Sequence, residues 1–257
     1  MTKTKKIISV NSLAAHKTAS LKAQMSILGS AVLPVPTVIL NGVGSYANVH
    51  KQYTDLAPLL ESTIDLALDQ NQEIYLFIGY LGKVENISYL SDFVPRNKGL
   101  FRAIITDPIS GDNGKPYIHP EIILCWPQLL SVSDIALPNL TELKFFSGLD
   151  SKNETAQEHL TAFAKRFPML DFIVTSFQQS ETSEGVYLNF RETKQMIRHE
   201  FYKMRMDGAG DVFSSYFLKN YLLEEQSPVV SCKKAIGQTL KLFQNALLND
   251  MDELIIA

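Results

Sequence analysis

Cysteine is scarce in this chain. Its 257 residues contain two, Cys125 and Cys232, far apart and in no C-x-x-C or Cys/His spacing. That excludes a disulfide framework and structural zinc, and two buried thiols are expected instead. None of the five histidines, His16, His50, His119, His159 and His199, lies three or four residues from another, so no helix can present a histidine pair to a metal. Positive charge is not in excess: 24 Lys and Arg stand against 27 Asp and Glu, a formal net charge of -3. Nucleic acid therefore has no electrostatic claim on the protein, and any anion must be held by local geometry. Long apolar runs are absent. No stretch reaches the roughly 18 residues a membrane span needs, and the apolar run 7–10 behind the basic start is too short for a secretion signal. A reducing cytoplasm, with no membrane or nucleic-acid partner, is the expectation. Internal repeats, low-complexity tracts and Gly/Ser/Pro linkers are missing as well, so one domain over 1–257 is expected. Neither G-x-x-x-x-G-K-[ST] nor G-x-G-x-x-G occurs, which disfavours a Walker-type NTPase and a dinucleotide-dependent dehydrogenase.

What the chain does have is alternation. Short β-branched runs at 6–10, 32–40, 73–78, 102–106, 135–136 and 171–175 are separated by segments of helical period at 18–28, 53–69, 84–96, 121–130, 140–147 and 156–167. This is the order that builds a parallel sheet from βαβ units. After Ser176 two strands follow in succession, 186–190 and 196–201, predicting an antiparallel or mixed edge. Helices at 211–223 and 228–248 complete the pattern. Open α/β sheets bind ligands beyond the carboxyl ends of their strands. Those segments are rich in small and polar residues: Asn11-Ser12, 41–46, 79–82, 107–114, 138–142 and Ser176.

The run Asp207-Gly208-Ala209-Gly210-Asp211 precedes an apolar helical segment and puts two glycines and an acid at a helix N-terminus. The first N–H groups of a helix lack intrahelical partners, and the helix dipole adds positive charge, so such a turn attracts an anion. A carboxylate at its rim suits phosphoryl transfer: Asp211 could orient and deprotonate an alcohol while the amides hold the developing charge. The plainer reading is that Asp211 caps the helix and the glycines form a tight turn. Asp107 follows a strand directly, and Glu142 falls in the first turn of a helix. Acids meeting near an anion site would hold Mg2+, often through water. Their plainer readings are an Asp-Pro turn for Asp107 and a capping box with Asn139 for Glu142.

The ordered set Gly79-Tyr80-Leu81-Gly82, the run from Thr106 to Lys115, Ala136-Leu137-Pro138-Asn139-Leu140-Thr141-Glu142-Leu143, Ile173-Val174-Thr175-Ser176 and Gly208-Ala209-Gly210-Asp211 resembles the pyridoxal (vitamin B6) kinases of the ribokinase-like superfamily, over nearly the whole chain. The resemblance implies a three-layer α/β/α ribokinase-like fold with a mostly parallel central sheet and an antiparallel edge. It implies ATP-dependent phosphorylation of the 5′-hydroxymethyl group of a B6 vitamer, with Mg2+, in a cytoplasmic homodimer. Asp211 would be the catalytic base, and the amides of Gly208, Ala209 and Gly210 the anion hole. Asp107 and Glu142 would serve Mg2+ and the nucleotide phosphates, with Asn139 and Ser176 lining the phosphate site. Met204 and Met206 would pass near the adenine, and Asp112 and Tyr117 would belong to a flap over the phosphates. Tyr80 would cover the B6 ring. Ordinary aspartate ionises near about 4, so Asp211 would accept its proton late.

The chain departs from that family at the substrate end. A glycine-containing loop is replaced by the run from Ser12 to Lys17, and a Ser-His-Thr-Gly-like segment by Asn41-Gly42-Val43-Gly44. Ser12, Asn41, Gly44 and Ser45 are the candidate substitutes for the missing hydrogen-bonding groups. His16, at the start of a helix, reads first as a surface residue. Three alternatives stay open: a hydroxymethylpyrimidine kinase using the same phosphate machinery, a sugar kinase of the superfamily, and a non-catalytic vitamin-binding or regulatory protein on the same fold.

Overall fold

The computed structural model describes residues 3–43, 46–150, 153–180, 182–191, 193–202 and 206–256, with Gln178 and Gln179 as backbone only. Where the composition predicts one domain, contacts cluster into two compact units: Met1–Ile74 with Tyr202–Ala257, and Tyr75–Phe201.

In the first unit, strand β1 (Lys5–Ala14) runs parallel to β2 (Val32–Leu40), with Ile7 opposite Val32. Ile7, Ile8 and Val10 are fully buried, so the β-branched run lies inside. The strand outlasts its apolar run: Asn11 and Ser12, expected just past its end, belong to it, at a register shift between Asn11 and Leu13. Helix α1 (Ser20–Leu28) starts two residues later than its periodicity predicts. Lys17, ahead of it, has a φ of 71°, which ordinary helix cannot include, and Ser20 opens the helix at a φ of 49°. The periodic segment from 53 is split. Residues Lys51–Tyr53 form β3, antiparallel to β2, and helix α2 (Leu56–Asp69) begins after Asp55.

The second unit takes in most of β4 (Glu73–Ile78), then α3 (Val84–Asn97) and β5 (Ile104–Thr106). A hairpin that the periodicity does not announce follows, β6 (Gly111–Asp112) with β7 (Lys115–Pro116). Its Asn113-Gly114 turn has φ of 50° and 75°, the paired positive values that favour Asn-Gly in tight hairpins. Helix α4 (Pro120–Val132), β8 (Ile135–Ala136), α5 (Leu140–Ser147) and α6 (Ala156–Arg166) lead to β9 (Asp171–Gln179), β10 (Ser183–Phe190) and β11 (Thr193–Glu200). Strands β4, β5, β8 and β9 pair in parallel, whereas β9, β10 and β11 pair antiparallel, as the sequence predicts for this edge. Trp126, Phe163 and Phe172 are buried at the centre of this unit, the two phenylalanines meeting edge to face at 5.1 Å.

The chain then returns to the first unit. Helix α7 (Ala209–Leu218) passes into a π-helical turn, Lys219–Leu223, and α8 (Pro228–Leu248) follows. Ala23, Ile27, Met206, Val212, Ala246 and Leu254 form one buried cluster tying α1, α7, α8 and the segment after α8. Each large apolar side chain buried there contributes about 1.5–3 kcal/mol relative to exposure. Cys232 is buried, and burial pushes its thiol up to about 12; Cys125, also expected inside, is half-buried on α4, and both are free. No helix among the described residues is long and apolar enough to cross a membrane.

Candidate active site

The start of α7 is built around Gly208. Its φ is 81°, and a Cβ there would lie 2.0 Å from the carbonyl oxygen of Thr18 and 3.0 Å from Ala19 Cα. Only glycine fits both the backbone angle and the wall formed by the turn between β1 and α1. A Cβ at Gly210, by contrast, would meet nothing within 4 Å. The helical ladder opens with Val212 N–H donating to Gly208 O at 2.9 Å, and the Ala209 N–H reaches Met206 O at a long 3.4 Å. The N–H groups of Gly210 and Asp211 therefore precede the first helical bond. An anion fits there.

Asp211 sits half-buried in this first turn. Its Oδ1 is buried with no hydrogen-bond partner. Burial raises the carboxyl to about 6, against the Ser20 backbone N–H and the nearby Asn11 side chain, both of which favour the ionised form. Asn11 is aligned for this by its own Oδ1, which accepts the Ser12 N–H at 2.9 Å. Ser12 Oγ in turn donates to Ser20 Oγ at 2.9 Å. The carboxyl expected near the ordinary aspartate value is instead pushed by burial towards neutrality, to about 6. The sequence offers Asn11 only as part of a polar segment past β1 and does not single out Ser20. Asn11 carries the signal of a polar residue interrupting a buried strand, while the Ser20 amide carries none.

Seven of the expected residues lie in the second unit, where Asn139 and Glu142 meet the hairpin that carries Asp112. Glu142, 2% exposed, closes the capping box on α5: its Oε2 accepts the Asn139 N–H at 2.9 Å, and Asn139 Oδ1 accepts the Glu142 N–H at 3.0 Å. Glu142 Oε1 takes the Ser110 N–H at 2.9 Å, and Asn139 Nδ2 donates to Gly111 O at 2.8 Å. Burial pushes the Glu142 carboxyl upward, opposed by the amides of Asn139, Ser110 and Gly111 and reinforced by the nearby Asp112 charge. The pair thus pins the β6–β7 hairpin. Asp112 holds its turn, accepting from the Asn113 N–H at 2.8 Å, and Thr141 Oγ1 takes the Gly114 N–H at 2.9 Å. Asp107 is half-buried just past β5, its N–H on Ile78 O at 2.8 Å. Ser176 is exposed within β9 at a φ of 53°, one residue after Thr175, whose N–H donates to Pro138 O at 3.0 Å. Tyr80 is half-buried past β4, and Tyr117 is exposed past β7 with its N–H on Ser110 O.

Other expected residues fall elsewhere. Met206, expected beside an adenine, is 5% exposed and packs in the cluster between α1, α7 and α8. Asn41 closes its own loop, its Oδ1 accepting the His50 N–H at 2.8 Å and its Nδ2 donating to Asn48 O at 3.3 Å. That loop surrounds a cavity of about 470 Å3 lined by His16, Asn41, Gly42, Tyr46, Ala47 and Asn48. His16, read first as a surface residue, is exposed and lies on this wall. Gly44, Ser45 and Met204 lie outside the described residues.

No group of three or more His, Cys, Asp or Glu side chains among the described residues could hold a metal unaided. Mg2+ commonly keeps several waters and is held by one or two carboxylates together with substrate phosphates. The donor chemistry of a half-buried Asp107 fits that mode. Glu142 fits it less directly, because both its oxygens already accept backbone N–H groups.

Parallel βαβ units with an antiparallel edge and a glycine-bounded anion turn define an α/β protein with a mostly parallel sheet and helices on both sides. The chain belongs to the phosphomethylpyrimidine kinase family, whose profile matches residues 35–251, running through both units. It is 24% identical over 185 residues to pyridoxal kinase PdxY of Corynebacterium diphtheriae, covering 69% of this chain and 65% of that protein. A Dictyostelium discoideum pyridoxal kinase is 22% identical over 254 residues, 90% of this chain and 83% of that one. The match to a Saccharomyces cerevisiae relative, 26% identical, spans about half of that protein, 50%. Among solved structures, a Bacteroides thetaiotaomicron protein crystallised with pyridoxal superposes with a TM-score of 0.77 at 26% identity, covering 94% of this chain and 87% of that one. Pyridoxal kinase of Entamoeba histolytica shares the fold, with a TM-score of 0.83 at 22% identity over 94% and 90%.

Proposed function

We propose that the protein is an ATP-dependent kinase that phosphorylates the 5′-hydroxymethyl group of a B6 vitamer. The observation that carries this is the buried, unpartnered Oδ1 of Asp211 in the same helical turn as the unladdered N–H groups of Gly210 and Asp211. Phosphoryl transfer asks a protein for alignment, charge neutralisation and a place for one proton. Asp211 Oδ1 accepts the alcohol proton, and at about 6 its carboxyl is ionised at neutral pH yet a stronger base than ordinary aspartate. The Gly210 and Asp211 amides stabilise charge on the transferred group, as an oxyanion hole does. In the second unit, Asp107 would hold a hydrated Mg2+, which neutralises the nucleotide phosphates. Asn139 and Glu142 would shape the neighbouring backbone, and Ser176 would hydrogen-bond the nucleotide. Tyr80 would cover the vitamer ring, and the hairpin carrying Asp112, with Tyr117, would cover the phosphates. Names of the relatives and the pyridoxal in the Bacteroides structure support the B6 substrate. A homodimer in the cytoplasm is part of the same proposal.

The family's description favours one competing reading, a hydroxymethylpyrimidine kinase. Both readings are tested by ADP release with pyridoxal, pyridoxine, pyridoxamine and hydroxymethylpyrimidine, with and without Mg2+. Turnover highest on a B6 vitamer is expected. Turnover on the pyrimidine alone would replace this reading with the competing one, and no turnover on any alcohol would leave a binding protein.

A further inference from the structure

The turn joining β1 to α1 does two things for Asp211: its Ser20 N–H donates to the carboxyl, and its Thr18 carbonyl and Ala19 Cα form the wall against which Gly208 sits. The same turn carries two non-glycine residues at positive φ, Lys17 and Ser20. Such angles are costly for residues with a Cβ and persist where surrounding contacts over-determine them. Here those contacts come from the segment after α8. Lys17, 8% exposed, donates through Nζ to the Asp252 carbonyl at 2.8 Å and pairs with the Asp252 carboxylate. Thr18 Oγ1 donates to Glu253 Oε1 at 2.7 Å. Between them and the helices, Leu254 is fully buried against the cluster that holds Val212 and Met206, one on each side of Gly208 in sequence.

We propose that residues 251–256 form a strap that sets the geometry of Asp211 by clamping the 17–20 turn, with Lys17, Thr18 and Asp252 as positioning residues. This rests on the reading of Asp211 as the base. The strap does not touch the carboxyl. It fixes where the Ser20 N–H points and how closely Gly208 seats on Thr18, and these decide whether Oδ1 and the Gly210 amide face one reactant together. The charged groups at the clamp are Lys17, Asp252 and Glu253, whereas the groups that favour the ionised Asp211 carboxyl, the Ser20 amide and the Asn11 side chain, are uncharged.

The test compares Lys17→Met/Thr18→Val with Lys17→Arg, Asp252→Asn and Asp211→Asn on the whole chain. Steady-state rates are measured from pH 5 to 9, and folding is checked by circular dichroism. The double variant is expected to lose about 10–100-fold in kcat, the scale of a slightly misplaced catalytic group, with KM for ATP little changed. The acid limb of its kcat/KM should move to higher pH, because the lost Ser20 hydrogen bond favours the ionised carboxylate. Lys17→Arg, which keeps the charge and Thr18, should leave both as in the wild type. Should the double variant not fold, Asp252→Asn provides the same readout, since that carboxylate lies in solvent. Unchanged kcat and pH profile in folded strap variants, with Asp211→Asn inactive, would overturn the strap. A fall in kcat without movement of the acid limb would also overturn it. Full activity of Asp211→Asn would instead overturn the base.

Discussion

A carboxyl raised to about 6 by burial changes both activity and stability, and the two effects separate with pH. Replacing Asp211 by Asn should lower kcat by roughly 10²–10⁴ with the fold intact, the usual size of a general-base contribution; steady-state rates with circular dichroism check this. In the wild type, kcat/KM should fall as pH drops through about 6, where the base takes up its proton. Stability should run the other way. The unfolded carboxyl ionises near 3.8 and the folded one near 6, so between these values the native state binds more protons and is stabilised as pH falls. Asp211→Asn should therefore raise the melting temperature at pH 8 and lose that advantage at pH 4, as calorimetry would show. The sequence places this acid correctly, because a glycine-bounded acid before an apolar helix is a local pattern. It does not give the carboxyl its raised ionisation, which comes from burial, partly offset by Asn11 and Ser20 far earlier in the chain.

The two glycines at the start of α7 make a matched pair of tests. Gly208→Ala demands a positive φ and puts a methyl group 2.0 Å from Thr18 O. It should cost at least the roughly 1–3 kcal/mol of such backbone strain, seen in urea unfolding. Gly210→Ala meets no atom within 4 Å, so its fold should match the wild type while KM for ATP rises, because the methyl group enters the space beside the free amides. In α5, Glu142→Ala orphans the Ser110 and Asn139 N–H groups, at about 1–3 kcal/mol each. Faster amide exchange over 110–116 would report the loosened hairpin. Periodicity alone places β2, β4, α5 and α8 at their observed bounds, because their burial repeats within the element itself. It misplaces the start of α2 and misses β3 and the β6–β7 hairpin, which are too short to show a repeat and exist only through pairing with the preceding strand or across a two-residue turn. The capping reading of Glu142 and Asn139 is also legible, since a capping box is local.

For the protein as a whole, nucleotide binding should appear as stability. Mg·ATP at a hundred times its dissociation constant is worth about 2.7 kcal/mol of protection against unfolding, and a melting scan with and without the nucleotide would detect it. Without such protection, with the fold intact, the ATP reading would fail. The substrate end is the part least legible in the residues: the loop through Asn41 departs from the family at the groups expected to recognise the ring, and its shape follows from Asn41 bonding His50 and Asn48 across the loop. The two compact units have a different history in the chain. The second, Tyr75–Phe201, is continuous, whereas the first needs the early residues together with those from Tyr202 onward, including Leu254. A nascent chain leaving the ribosome could thus complete the inserted unit while the other waits. The helix bearing Asp211 can find its seat against Thr18 only after the whole inserted unit has been made, so the carboxyl acquires its buried surroundings late relative to Tyr75–Phe201.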